Sequence, residues 1–167
     1  MAPYFLKRLH VYFKNNNRAG VAISFSASIL LSLVLLTARV IKTGEITYVF
    51  LVWNLFLALI PLGLSTLLTV YRLRRKSHLV SYGLTLIWLL FLPNSFYIIT
   101  DMFHLYPRPG VPQWFDLVLI LSFAWNGIMF GCASLFDMHE LVKQRFTWFL
   151  GWAFAGASLF LSSFGIY

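Results

Sequence analysis

Residues 48–70 read YVFLVWNLFLALIPLGLSTLLTV without one charged side chain, and the basic run Arg72, Arg74, Arg75 and Lys76 follows at once. A helix needs about 20 mostly apolar residues to cross a hydrocarbon core of roughly 30 Å. The stretch therefore reads as a membrane span that stops at a headgroup layer. Working outward, similar windows lie at 19–38, between Arg18 and Arg39, and at 79–99, 115–136 and 146–167. These five spans predict an all-α, multi-pass transmembrane helical bundle. No linker is long enough to hide a soluble unit, so residues 1–167 are expected to form a single membrane domain.

Composition points the same way. The chain is 60% apolar and 11% charged, against roughly 45–50% and 25% in soluble domains. Its net charge of +8 raises the question of nucleic acid, but the basic residues cluster beside spans. There they act as topology signals and as contacts for anionic lipid headgroups. Nucleic acid is set aside, and membrane lipids, a homo-oligomer or another membrane protein are the expected partners. Lys7, Arg8, Lys14 and Arg18, the 72–76 cluster, and Lys143 with Arg145 fall in alternate loops; the opposite loops carry only Arg39, Lys42 and Arg108. Short cytoplasmic loops are enriched in Lys and Arg, so the amino terminus is expected in the cytoplasm, with the chain in the cell's inner (plasma) membrane. Residues 1–18 read as a basic cytoplasmic segment able to lie as an amphipathic helix on the inner leaflet. The first apolar run is longer than a signal-peptide core and no small-x-small site follows at 36–40, so this helix stays in the mature chain. Cys132 is the only cysteine, which leaves neither an intrachain disulfide nor a cysteine metal cluster.

The third window is the odd one, because it reaches Pro93 after some fourteen residues. Proline disfavours helical geometry in the residue before it and suits the first turn of a new helix, which predicts a helix broken at Pro93. Just past it, Asn94, Tyr97, Asp101 and His104 recur at intervals of three, four and three, with Thr100 beside them. On one helix that spacing forms a polar stripe. Broken helices build binding sites in transporters because their freed backbone groups need protein or water as partners. Asn94, Tyr97, Thr100, Asp101 and His104 are thus candidate site residues at the extracytoplasmic face, with Asp116, after the turn at 106–112, as a further candidate. Two carboxylates and one histidine suit a divalent cation, but no tight ligand motif such as His-x-x-x-His is present, so no metal or cofactor is expected. The structural alternative is that Asp116 offsets the dipole of the fourth helix while Trp114, Tyr106 and Tyr97 mark the aromatic belt. Asp137, His139, Glu140 and Lys143, on the opposite side, read as a solvated loop or helix end.

Small residues promote close helix packing in lipid. Gly20, Ser24, Ser28 and Ser32 repeat every four residues; Gly127, Gly131 and Ser134 mark the fourth span, and Gly151, Ala155, Ser158 and Ser162 the fifth. These read as intramolecular packing faces, and Asn54, Asn126 and Ser122 as interhelical hydrogen-bonding groups.

The run Leu92-Pro-Asn-x-x-Tyr97-Ile98-x-Thr100-Asp101, the His104-Leu105 pair, Trp114 with Asp116, and Ser162 to Tyr167 together resemble a bacterial integral-membrane family, the domain of unknown function 1361. The likeness covers roughly residues 45–167. It implies a multi-pass membrane protein and supplies no activity, substrate or cofactor. It also implies a chain that runs on past Gly165-Ile-Tyr167, and a last span without a polar flank agrees with a truncated sequence. Three functional readings follow: first a structural or partner-binding membrane subunit, then a small permease-like transporter, then a membrane enzyme acting on a lipid-linked or envelope substrate with His104 as acid or base. No recognisable catalytic set is present, which leans against the enzyme.

Overall fold

A computed structural model describes residues 18–72 and 78–166. Among them are five long helices and no strand: α1 (Arg18–Thr43), α2 (Phe50–Arg72), α3 (His78–Tyr97), α4 (Gln113–Arg145) and α5 (Trp148–Ile166). A 3-10 segment, Ile98–His104, continues α3. With that extension counted, all five are long and apolar enough to cross a membrane. The all-α bundle expected from the five windows is the observed architecture. The basic segment 1–17 and the Arg74–Lys76 cluster lie outside the described residues.

Two helices outrun their windows. α1 continues to Thr43 and α4 to Arg145, because charged residues mark where hydrocarbon ends and not where helical hydrogen bonding ends. At 33 residues and 1.5 Å per residue, α4 is ~50 Å long. It is the central post, packing against each of the other helices and the 3-10 segment. Half of its apolar window is buried, against 11% for α1, so α1 is a peripheral helix facing mainly outward.

The α1–α4 seam has a seven-residue period. Arg18 meets Asp137, Phe25 meets Phe130, Ser32 meets Asn126 and Arg39 meets Asp116, so one helix rises as the other descends. Seven residues fall 20° short of two full turns, which keeps this stripe on one face and gives the shallow crossing of coiled-coil packing. Steps of four advance by about 40° each. Gly20 is therefore rotated about 120° away from Ser32, and the Gly20–Ser32 stripe fails as a single packing face: Ser32 is buried while Gly20 and Ser24 are exposed.

The other small-residue stripes do pack. Cβ atoms added at Gly127 or Gly131 would strike Ile98, Ser95 and Phe96, and one at Gly165 would come within 2.8 Å of the Pro93 ring. Gly151, Ala155, Ser158 and Ser162 are all buried. The end of α3 is thereby clamped between α4 and α5, and this changes the fate of Pro93. The α-helix runs through the proline to Tyr97 and tightens only at Ile98. A proline removes one backbone hydrogen bond, which neighbours can tolerate in lipid. Here the Asn94 amide donates to the Phe91 carbonyl at 3.2 Å and the Ser95 hydroxyl to the Ala58 carbonyl at 2.9 Å.

Two apolar clusters fill the interior. One joins Leu36, Leu51, Leu55, Ile98, Leu119 and Phe123 among α1, α2, α4 and the 3-10 segment. The other joins Leu68, Trp88, Leu92 and Met138. Trp88 is fully buried, stacks on Phe154 at 5.9 Å between ring centroids, and donates its indole N–H to the Ser134 hydroxyl.

Candidate functional site

The polar residues near the end of α3 belong to a larger network. The last turns of α1, the 44–49 connection, the 3-10 segment, the 105–112 connection and the first turn of α4 meet there. Arg39 is its hub. Its side chain is wholly buried; Nε donates to Asp116 Oδ1 at 2.9 Å and Nη2 to Oδ2 at 3.3 Å. Nη1 reaches the Thr43 hydroxyl at 3.1 Å and Glu45 at 3.5 Å. The guanidinium also lies 4.8 Å from the centroid of the Tyr48 ring, a cation–π contact with a buried aromatic face.

Arg108 sits over the same ring at 5.4 Å and donates to the Thr47 hydroxyl at 3.2 Å. Its Nε is buried with no hydrogen-bond partner among the described residues. The Tyr48 hydroxyl donates to the His104 carbonyl at 3.4 Å. α2 begins at Phe50, so Tyr48 lies in the connection before it. Burial, and then the Asp116 charge, push its hydroxyl above the usual tyrosine range against the pull of Arg108; it remains a donor at neutral pH. Gly110 has φ 94°, and a Cβ added there would lie 3.4 Å from the Thr43 methyl. A side chain there would meet both the left-handed backbone and that contact.

The expected stripe does not assemble into one cavity. Asn94 is spent on the Phe91 carbonyl, and the Thr100 hydroxyl donates to the Tyr97 carbonyl at 2.7 Å. Tyr97 is exposed, and His104 is exposed with its ring 5.2 Å from that of Phe50. Asp101 is buried and receives both N–H bonds of the Asn54 amide, at 3.0 and 2.9 Å. Asp116 is committed to Arg39. The 3-10 geometry turns once in three residues, which puts Ile98 and Asp101 on one buried side and turns Tyr97 away from it; His104 shares their register but lies at the exposed end of the segment. Asp101, His104 and Asp116 do not converge as a ligand set. Nor does a hydrogen bond join Asp101 to His104, so the two do not form an acid–base pair.

Sequence reasoning passed over Arg39, which had been counted with the loops, and the pairing of Asn54 with Asp101. A signal was present: Arg18 and Arg39 are three heptads apart, as are Asp116 and Asp137. Two helices so marked can close an ion pair at each end when antiparallel. Asn126, read as an interhelical donor, does donate to Ser32 at 3.0 Å, whereas Ser122 donates within its own helix to the Leu119 carbonyl.

The opposite end corrects the reading of residues 137–143 as a solvated tip. They lie within α4, where Asp137 and His139 are buried. Asp137 is gripped by the Arg18 guanidinium through both carboxylate oxygens and receives the Ser65 hydroxyl at 3.3 Å. His139 packs against Gly151 and lies 4.6 Å from the Trp152 ring, and its Nε2 is buried with no hydrogen-bond partner among the described residues. Glu140 and Lys143 do face outward and pair at 2.9 Å. Polar letters one helical turn apart alternate between the bundle and solvent, and composition alone does not separate the two.

No curated protein and no solved structure matches this chain. A family model described as protein of unknown function (DUF1361) matches residues 53–167, which includes the α3 end, the 3-10 segment, Asp116 and Asp137. The match takes in more than half of the sequence, and the chain belongs to that family.

Proposed function

We propose that this protein is a structural, partner-binding subunit of the bacterial inner membrane, with its amino terminus in the cytoplasm. The reading is carried by one contrast. The buried groups Arg39, Asp101, Asp116, Asn126 and Asp137 are bonded across helices, while a regular face of α1 is left without a neighbour among the described residues. That face consists of Gly20, Ser24, Ala27, Leu31, Val34 and Ala38, at alternating four- and three-residue steps, and every member is exposed. Its first half is small, and Gly20 has nothing within 4 Å of an added Cβ. A second membrane helix, from another protein or from another copy, can approach such a surface closely. The cytoplasmic orientation is supported by the basic residues in alternate loops, which would also contact anionic headgroups.

The test compares the size of the species extracted from native membranes. Ala27→Trp, on the outward face, is expected to reduce it to the single chain, while Asp101→Ala with His104→Ala leaves it at the wild-type size. The reverse pattern overturns the proposal.

One observation favours a second reading, a small permease-like protein. Asp101 is buried, and the side chain bonded to it is the neutral amide of Asn54; a buried ionisable group in a span commonly marks a transport path. Proteoliposomes that show no flux across a panel of ions and small solutes remove this alternative.

A further inference from the structure

The 44–49 and 105–112 connections join membrane-length helices and so lie at a membrane surface. Their charges are unevenly paired. Glu45 and Asp116 both face Arg39, whereas Lys42 and Arg108 have no carboxylate partner among the described residues. Lys42 is exposed and screened by solvent. Arg108 is half-buried, where an unpaired ion is costly. Its Nη1 donates to the neutral Thr47 hydroxyl at 3.2 Å, its guanidinium lies 5.4 Å from the centroid of the Tyr48 ring, and its Nε is buried with no acceptor among the described residues. The interior gives this cation a seat and no counter-charge. The seat is also stiff, because Arg108 stands between Pro107 and Pro109, which fix their own φ and disfavour helical geometry at Arg108, and Val111 is buried beyond them. A cation held in place before its ligand arrives leaves little ordering for binding to offset.

We propose that Arg108 anchors a phospholipid site and binds the phosphate of a net-anionic headgroup of the glycerol type. The phosphate oxygens accept from the exposed edge of the guanidinium, a planar fork that suits an oxyanion. Charge balance selects the headgroup. Residues 39–49 and 105–116 hold three cations, Arg39, Lys42 and Arg108, against two carboxylates, Glu45 and Asp116, which leaves one positive charge for one phosphodiester. A zwitterionic headgroup already balances its phosphate and brings an ammonium towards Lys42 and Arg108. Glu45 does not invite that ammonium, since it is engaged by Arg39 and by the Thr47 hydroxyl. Ile46, 73% exposed next to Thr47, and Tyr106, 63% exposed next to Pro107, offer apolar surface to the glycerol and first acyl carbons. The site lies at the opposite end of the bundle from Arg18, Arg72 and Lys143, so the density of basic residues does not announce it. It requires the membrane spans alone and is independent of the partner-binding role.

The experiment is lipid retention by native mass spectrometry of the full chain in detergent, against equimolar phosphatidylglycerol, phosphatidylethanolamine and phosphatidylcholine of the same acyl chains. The glycerol lipid is expected to be retained preferentially. Arg108→Gln is expected to lower that retention about tenfold, as for loss of one charge-assisted hydrogen bond, with the other two lipids and the lipid-free thermal midpoint unchanged. Lys143→Gln removes one positive charge from the opposite end and is expected to retain the glycerol lipid as the wild type does, which separates a site from the general attraction of a basic protein. Should Arg108→Gln lower the lipid-free midpoint, Arg108→Lys, which keeps the charge without the fork, replaces it, with an expected loss of about threefold. Undiminished glycerol-lipid retention in the Arg108 variant, equal retention of the three lipids by the wild type, or an equal loss in Lys143→Gln overturns the proposal. The acyl chains are part of the ligand, so soluble glycerophosphoglycerol at the same concentration is expected not to compete; full displacement by it overturns the lipid assignment.

Discussion

Replacing Arg39 by Met and Asp116 by Leu, singly and together, separates a buried ion pair that specifies the bundle from one that merely decorates it. The two side chains are 0% and 1% exposed. Opposite charges about 4 Å apart attract by about 4 kcal/mol at an effective dielectric near 20. Removing one member of such a pair costs about 3–5 kcal/mol, because the other charge stays buried. The two single changes are unequal here. Without Asp116, the guanidinium keeps Thr43 at 3.1 Å, Glu45 at 3.5 Å and the Tyr48 ring. Without Arg39, Asp116 keeps only the nearby neutral Tyr48 hydroxyl among these groups. Arg39→Met should therefore fall near the upper end of that range and Asp116→Leu near the lower. Removing both charges leaves no uncompensated ion, so the double variant should lie within about 1 kcal/mol of wild type. Reversible unfolding in mixed micelles, followed by far-ultraviolet circular dichroism, measures all three. A double variant whose cost equals the sum of the singles refutes the argument, as does Asp116→Leu with wild-type stability.

The packing account makes three further predictions. Gly127→Val should destabilise the bundle by about 3 kcal/mol through overpacking against Ser95 and Ile98, while Gly20→Val, on open surface, should change it by less than about 0.5 kcal/mol; the same unfolding assay compares them. Ser134→Ala leaves the buried Trp88 indole N–H without its acceptor, which should cost about 1 kcal/mol and shift the tryptophan emission. Asn54→Leu removes both donors to the Asp101 carboxylate and should cost about 2–3 kcal/mol, visible as faster hydrogen exchange of the 98–104 amides, with Asn54→Asp no better.

The membrane class was legible because hydrocarbon length is a one-dimensional property, counted directly on a run such as 48–70. The Gly127, Gly131 and Gly151 faces were legible for a related reason: small residues at helical spacing leave a groove whatever fills it. Pro93 was read as a break because the local rule is sound in isolation. Gly165, against its ring, lies seventy-two positions later in the chain, and no local rule sees it. The Asn94–His104 stripe dissolved because three residues per turn replaced 3.6 beyond Tyr97, which turns Tyr97 away from Asp101, and because His104 falls at the exposed end of the segment. Arg39 was hidden by its own charge, which marks a loop in the topology rule and a buried pair only once Asp116 is placed across from it. The seven-residue period of Arg18, Phe25, Ser32 and Arg39 was visible in the letters, but it competes with the shorter and more conspicuous four-residue repeat of small residues.

The most direct test of the central claim is site-specific photo-crosslinking in native membranes, with the reactive group placed at Ala27 and, as a control, at the lipid-facing Leu86. The account predicts one discrete cross-linked protein species from position 27, abolished by Leu31→Trp on the same face, and none from position 86. Cross-links from position 27 to lipid alone, matching those from position 86, would contradict it.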